Sequence, residues 1–171
     1  MTKPGAKSGS DALIPAATIL LLRDGAAGIE VFMVVRHHQI DFASGALVFP
    51  GGKVDALDRE AHVRTRVDGA EGLDDWEFSM RVAAIREAFE ESGVLLARSE
   101  QTGALVDAAR LKTLEHYRDP LNRGEVGIGD FLAKEGLRLC GDALTPFAHW
   151  ITPSMMPKRF DTRFYLAVAP G

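Results

Sequence analysis

Apolar runs broken by glycine and charge divide the chain into elements. Residues 14–22 are rich in β-branched and leucine side chains, Arg23-Asp24-Gly25 and Gly28 interrupt, and residues 29–35 are apolar again. Two such runs around a short polar break predict a β-hairpin, with both strands in the sheet interior. A loop over 36–44 and a short strand over 46–49 follow, the strand running into Pro50-Gly51-Gly52. From 55 to 75 the composition turns polar and glycine-containing, which predicts an excursion outside the core.

The clearest element is a helix over 75–92. Asp74 or Asp75 is its expected N-cap, Ala83, Ala84 and Ala88 favour it, and Gly93 stands where a left-handed C-cap belongs. At about 100° per residue, Phe78, Val82, Ile85 and Phe89 share one stripe that faces the core. Glu87, Glu90 and Glu91 fall together on the opposite side, presented away from the core. A strand is expected to start at 94–96, and helices over 108–117 and 129–134 flank a turn at Asp119-Pro120-Leu121-Asn122. Residues 147–151 and 162–169 read as strands, with Phe164, Leu166 and Val168 alternating against Arg163, Tyr165 and Ala167.

Composition places the chain in a class. With 171 residues, 46% hydrophobic and 26% charged, it is expected to form one globular domain over 13–171 behind a polar, Gly/Ser-rich tail over 1–12. One cysteine, Cys140, excludes a disulfide framework and reads as a buried small hydrophobe. No apolar run approaches the roughly 18–20 residues that span a bilayer. A net charge of −4 argues against coating nucleic acid, so an anionic substrate needs local arginines or bound cations. No membrane or nucleic-acid partner is expected, and the composition suits the cytoplasm.

Three glutamates at i, i+3 and i+4 repel one another by a few tenths of a kcal/mol per pair. Either the face is solvated, or it holds a hard divalent cation, which takes oxygen ligands. Spacing by itself leaves both open. Upstream, Phe49-Pro50-Gly51-Gly52-Lys53-Val54-Asp55 carries two glycines that let backbone approach an ion or phosphate closely.

Taken with Arg86-Glu87-Ala88-Phe89-Glu90-Glu91-Ser92-Gly93-Val94, that segment resembles the Nudix box, G-x5-E-x7-R-E-U-x-E-E-x-G-U. Gly52 takes the first position and residues 86–94 fill the second half at every defined position. Asp58 stands where the family has Glu, and 27 residues separate it from Arg86 where the family has 7, an insertion of 20 that covers about 59–75. The insertion, Trp150-Ile151-Thr152-Pro153 and Arg159-Phe160-Asp161-Thr162-Arg163-Phe164 resemble the coenzyme A and acyl-CoA diphosphatase branch. Of the coenzyme A-associated pattern L-L-T-x-R-[SA]-x3-R-x3-G-x3-F-P-G-G, Arg36, Gly45 and Phe49-Pro50-Gly51-Gly52 match; His37 and Asp41 depart from it.

The resemblance implies an α/β/α Nudix sandwich around a mixed sheet, and Mg²⁺- or Mn²⁺-dependent hydrolysis of a diphosphate bond in a small-molecule nucleotide. Coenzyme A or an acyl-CoA, cut to 3′,5′-ADP and a phosphopantetheine product, is the first expectation. ADP-ribose or a dinucleotide, and a catalytically weak nucleotide-binding module, are the alternatives. It assigns metal ligation to Gly52, Glu87, Glu90 and Glu91, and catalytic roles to those glutamates and Arg86, with Glu90 and Glu91 foremost. Asp58 is expected to pair with Arg86 or to support the metal shell. Arg36, Gly51, Lys158, Arg159, Phe160 and Arg163 are the substrate-binding candidates. Trp150 and Phe160 read either as core or as a stack for adenine; His37, His38 and His149 read as loop or sheet residues, with bases as the alternative. No acidic residue after the box is singled out as a base. Relatives of this branch continue past the strand ending near Ala169 into a C-terminal helix, so part of the sandwich is expected beyond Gly171. Oligomeric state stays open, a homodimer being one option.

Overall fold

The computed structural model describes residues 12–35 and 45–170. The hairpin forms at the glycines: β1 (Ile14–Gly25) turns into β2 (Gly28–Val31), pairing antiparallel from Leu22 with Val31 to Gly25 with Gly28. Gly28 occupies φ 124°, a region side chains avoid. β2 is an edge strand, exposed throughout, and not the interior strand expected from its apolar run. Only β1 is buried on both faces, which explains its unbroken apolar sequence.

β3 (Val34–Val35) and β4 (Leu47–Val48) pair with each other. β5 (Gly51–Lys53) carries the Gly pair and lies antiparallel to β1, Ala17 opposite Gly52 and Thr18 opposite Gly51. On its other side β1 runs parallel to β9 (Phe160–Val168), which pairs antiparallel with β8 (Thr145–Ile151). The sheet is therefore mixed, with the order β2-β1-β9-β8 and β5 beside the first half of β1. β6 (Ala97–Ser99) and β7 (Leu137–Leu139) form a separate ladder, and β6 begins three residues later than the apolar run at 94–96 suggests.

The helices gather around one long helix. α1 (Ala61–Arg64) is a single turn, and α2 (Asp75–Ser92) is the long central helix. The Asp74 side chain accepts from the Glu77 N–H at 2.7 Å, and Gly93, at φ 78°, closes the helix with its N–H on the Phe89 carbonyl at 2.8 Å. Phe78, Val82, Ile85 and Phe89 are buried, as their stripe predicts. α3 (Ala108–Leu114), α4 (Arg118–Asn122) and α5 (Ile128–Glu135) follow, Phe131 stacking on Phe89 with ring centroids 5.6 Å apart. Asp119-Pro120-Leu121-Asn122 is helical and not a turn, because Pro120 sits in the first turn of α4, where its missing N–H costs nothing. Cys140 is buried, as expected.

Two expectations are corrected by packing. The polar stretch 55–75 is not an excursion: Asp58, Val63, Val67 and Ala70 are buried, and Val67 bridges to Leu139. The carboxylate side of α2 is covered in part, by β5, the 3-10 turn at Leu57–Arg59 and α4, so Glu90 is buried and Glu87 half-buried, whereas Glu91 is exposed as expected. Sequence periodicity detects one apolar stripe and is blind to a polar face enclosed by other polar groups. Among the described residues no helix is long and apolar enough to cross a membrane.

Candidate active site

The Arg86 guanidinium organises the site. Its Nε and Nη2 donate to the two oxygens of Asp58 at 2.8 and 3.1 Å, a bidentate pair in which Asp58 is fully buried. Nη2 also donates to the Lys53 carbonyl at 2.8 Å, and Nη1 to Glu87 and Glu90 at 3.0 Å each. Asp58 is itself held, accepting from the Asp55 N–H at 2.8 Å. One cation thus ties the glycine strand β5, the Leu57–Arg59 turn and the carboxylate side of α2 together. The expected Asp58–Arg86 pair forms across 28 residues of sequence, so the shortened carboxylate still reaches its partner.

Gly52 lies directly against the Glu87 carboxylate. A Cβ there would stand 2.4 Å from the Glu87 carboxyl carbon, so the Gly52 backbone and the Glu87 carboxylate share a cradle that any side chain would fill. Gly51 donates its N–H to Glu91 Oε2 at 3.1 Å, bringing the third glutamate to the start of β5. Asp58, Glu87 and Glu90 place three carboxylates around the one guanidinium. Burial, with Glu90 and Glu91 adding to it, pushes the Glu87 carboxyl up to about 7 against the opposing pull of Arg86. Burial raises Glu90 in the same direction.

These donors are chemically right for a hard divalent cation: carboxylate oxygens with a backbone strand at touching distance. Among the described residues, however, no three acidic, histidine or cysteine side chains converge closely enough to enclose an ion. Arg86 draws Glu87 and Glu90 to itself while Glu91 turns to Gly51.

Two clefts meet here. A smaller one, about 220 Å³, is bordered by Lys53, Asp55, Arg86, Glu87, Glu90 and Asn122. A larger one, about 780 Å³, runs from Glu91 and Gly51 over Thr18, Phe49 and Phe164. Asn122 borders both, its amide 3.5 Å from Glu90 Oε2, and Arg118 donates twice to the Glu90 carbonyl at 3.1 Å. Sequence reasoning missed Arg118 and Asn122. They lie about 30 positions from Glu90 with no periodic tie to it, and only the docking of α4 on α2 brings them in.

The substrate-binding candidates separate. Gly51 is at the cleft, whereas Arg36, like His37 and His38, lies outside the described residues. Lys158, Arg159 and Phe160 stand where β8 returns into β9, with Lys158 Nζ 5.4 Å from the Phe160 ring centroid and Arg159 Nε donating to the Thr152 carbonyl. Arg163 shares its strand face with buried Tyr165 and Ala167, the side that α2 covers, so it is turned away from Thr18 and Phe164. His149 pairs with Asp161. Trp150 is 72% exposed and so does not belong to the core.

Comparison with known proteins agrees with this frame. Residues 64–170 match the NUDT19 Nudix domain family model. A putative nudix hydrolase 7 of Caenorhabditis elegans is 37% identical over 137 residues, 80% of this chain and 39% of that protein. The human acyl-coenzyme A diphosphatase NUDT19 is 27% identical over 82% of this chain and 48% of its own length. The chain therefore spans less than half the length of these curated relatives. The crystal structure of a Nudix hydrolase from Alicyclobacillus acidocaldarius superposes with a TM-score of 0.75 at 31% identity, covering 92% of this chain and 70% of that one. The family match over more than half of the chain, and a sheet-and-helix frame shared with a solved relative, make this chain a member of the Nudix hydrolase family carrying a NUDT19-type Nudix domain.

Proposed function

We propose that this chain hydrolyses the diphosphate bond of a nucleoside diphosphate derivative, with coenzyme A or an acyl-CoA as the first-choice substrate and Mg²⁺ or Mn²⁺ as the metal. The single observation that carries this reading is the Arg86 hub: a buried guanidinium clamped by Asp58 that orients Glu87 and Glu90 beside the glycine strand, in the small cleft that Asn122 shares with the larger one over Gly51 and Glu91. The acyl-CoA choice is supported by the partial coenzyme A-associated pattern before the box and by the acyl-CoA diphosphatases among the relatives.

Glu87, Glu90 and Glu91, with the Gly52 carbonyl, would hold the cation. When bound, it neutralises the non-bridging phosphate oxygens and lowers the pKa of the attacking water. The chain's own residues do the rest. Arg86 fixes the rotamers of Glu87 and Glu90, so little ordering entropy remains to be lost when substrate arrives. Gly51 and Gly52 keep the strand edge free of side chains, so a diphosphate can lie against backbone. Asp58 keeps Arg86 from swinging out to the substrate phosphates.

A second reading, a binding module with little turnover, is motivated by Asp58, a shortened carboxylate where the box pattern has glutamate. Incubation with coenzyme A, ADP-ribose, NADH and diadenosine polyphosphates, each with Mg²⁺ or Mn²⁺, separates the two. Coenzyme A cleavage that falls at least 100-fold in Glu91→Gln supports the first reading. Preferential cleavage of ADP-ribose or a dinucleotide would move the substrate assignment, and binding without turnover under either metal would establish the module.

A further inference from the structure

The outer face of the sheet, opposite α2, has an aromatic floor. Strand alternation and register put Thr18 of β1, Thr162 and Phe164 of β9, and Ala148 and Trp150 of β8 on this one face. Phe160 follows the same alternation at the start of β9. Burial separates the two faces: Tyr165 and Ala167 are buried toward α2, whereas Phe164 and Leu166 are half-buried and Val168 is exposed on the outer side. Trp150, paired with Thr162, is 72% exposed on a strand whose backbone is otherwise paired to β9.

This floor is continuous with the candidate active site. Thr18 and Phe164 line the large cleft together with Gly51 and Glu91. From the Gly51 edge the strands follow in the order β5, β1, β9, β8. At roughly 4.8 Å between strands, β8 lies about 14 Å from β5, three strand spacings across the face. At the far end Lys158 sits over the Phe160 ring, placing a cation beside the aromatic surface. An apolar plane at the base position and a positive charge at its rim complement a purine nucleotide with a further phosphate on its ribose.

We infer that this outer sheet face is the seat of the substrate's nucleobase, with Trp150 the residue on which the base stacks. The inference rests on the diphosphate reading only for where the phosphates lie. The base lies across β9 and β8 with its plane against the indole, and the sugar runs back over Phe164 toward Gly51. Trp150 acts by binding; the bond that breaks lies at the other end of the ligand.

Trp76 and Trp150 are the two tryptophans of the chain. Trp76→Phe therefore leaves Trp150 as the sole indole and a direct reporter. In that background, metal-free titration with ADP or adenosine 3′,5′-bisphosphate is expected to quench the emission saturably, and inorganic pyrophosphate is expected to leave it unchanged. Trp150→Ala is expected to weaken adenine-nucleotide affinity, and to raise the KM of any cleaved substrate, about tenfold with kcat within twofold, because stacking a base on an aromatic contributes about 1–3 kcal/mol. Trp150→Phe should restore most of the loss. Hydrolysis that proceeds without quenching, and with KM unchanged in Trp150→Ala, overturns the base site and leaves the diphosphate reading standing. Quenching by ADP in a protein that cleaves none of the tested substrates supports the base site while the diphosphate reading falls. A change of oligomeric state in Trp150→Ala by sedimentation, with nucleotide affinity intact, overturns the inference in favour of a contact between two copies.

Discussion

Arg86 and Asp58 form a pair whose separation in sequence hides its strength. Asp58 is fully buried and Arg86 is 8% exposed, so neither charge can turn to water if its partner is removed. Asp58→Ala leaves the guanidinium with Glu87 and Glu90 and with a void where its bidentate partner stood. Removing one member of a buried pair typically costs about 3–5 kcal/mol. Urea unfolding of Asp58→Ala should show a loss of that size, and a loss below about 1 kcal/mol would mean that Glu87 and Glu90 hold Arg86 without it. Residue-scale legibility follows the same geometry. The spacing of Arg86, Glu87, Glu90 and Glu91 is local and was readable as a motif. Nothing in the spacing ties Asn122, the one asparagine of the chain, to Glu90, yet it borders both clefts.

At the scale of elements, α2 shows how far local rules reach. Its caps, its length and its apolar stripe follow from Asp74, Gly93 and the 3.6-residue period. Its enclosure on the remaining sides does not, since that depends on β5 and α4 arriving from elsewhere in the chain. The short helices around it are tied by polar contacts. Tyr117 Oη donates to Glu135 at 2.6 Å, and Arg110 Nη2 reaches the other carboxylate oxygen at 2.7 Å, joining the α3 region to the end of α5. The Tyr117 hydrogen bond, aided by Arg110, holds the Glu135 carboxyl below the usual glutamate value. A depressed carboxyl stabilises the fold above its unfolded value and loses that contribution as pH falls through its folded one. Tyr117→Phe should therefore cost about 1 kcal/mol at pH 7, with the difference from the parent protein shrinking between roughly pH 5 and pH 3. A difference that stays constant over that range would show that the Tyr117 hydroxyl does not act through the charge of the Glu135 carboxylate.

Across the whole molecule, the insertion within the box is the clearest case of composition and packing diverging. Residues 55–75 are polar on average, but three hydrogen-bonded or apolar anchors tie the segment to the core. Val63 and Val67 are buried, Val67 bridges to β7, and Asp68 accepts from Arg138 Nε at 2.7 Å. If the insertion is part of the cooperative unit, Val63→Ala lowers global stability by about 2 kcal/mol. Hydrogen exchange of 61–68 would then be about as slow as that of α2. Rapid exchange there with the melting temperature unchanged would return the segment to the independent excursion that its composition suggests.

Periodicity, caps and motif spacing act over a turn or a few residues, so the chain by itself determined the elements that are locally encoded: the hairpin, α2 with its two ends, the buried stripe, and the family to which the box belongs. What only the tertiary structure decided is how distant polar groups meet. It paired Asp58 with Arg86, closed β5 over Glu87, brought α4 to Glu90, turned Arg163 toward α2 and left Trp150 on the open face. Apolar patterning specifies which side of an element is buried. It carries no information about which charge will lie opposite, because that is set by strand register and helix docking across tens of residues.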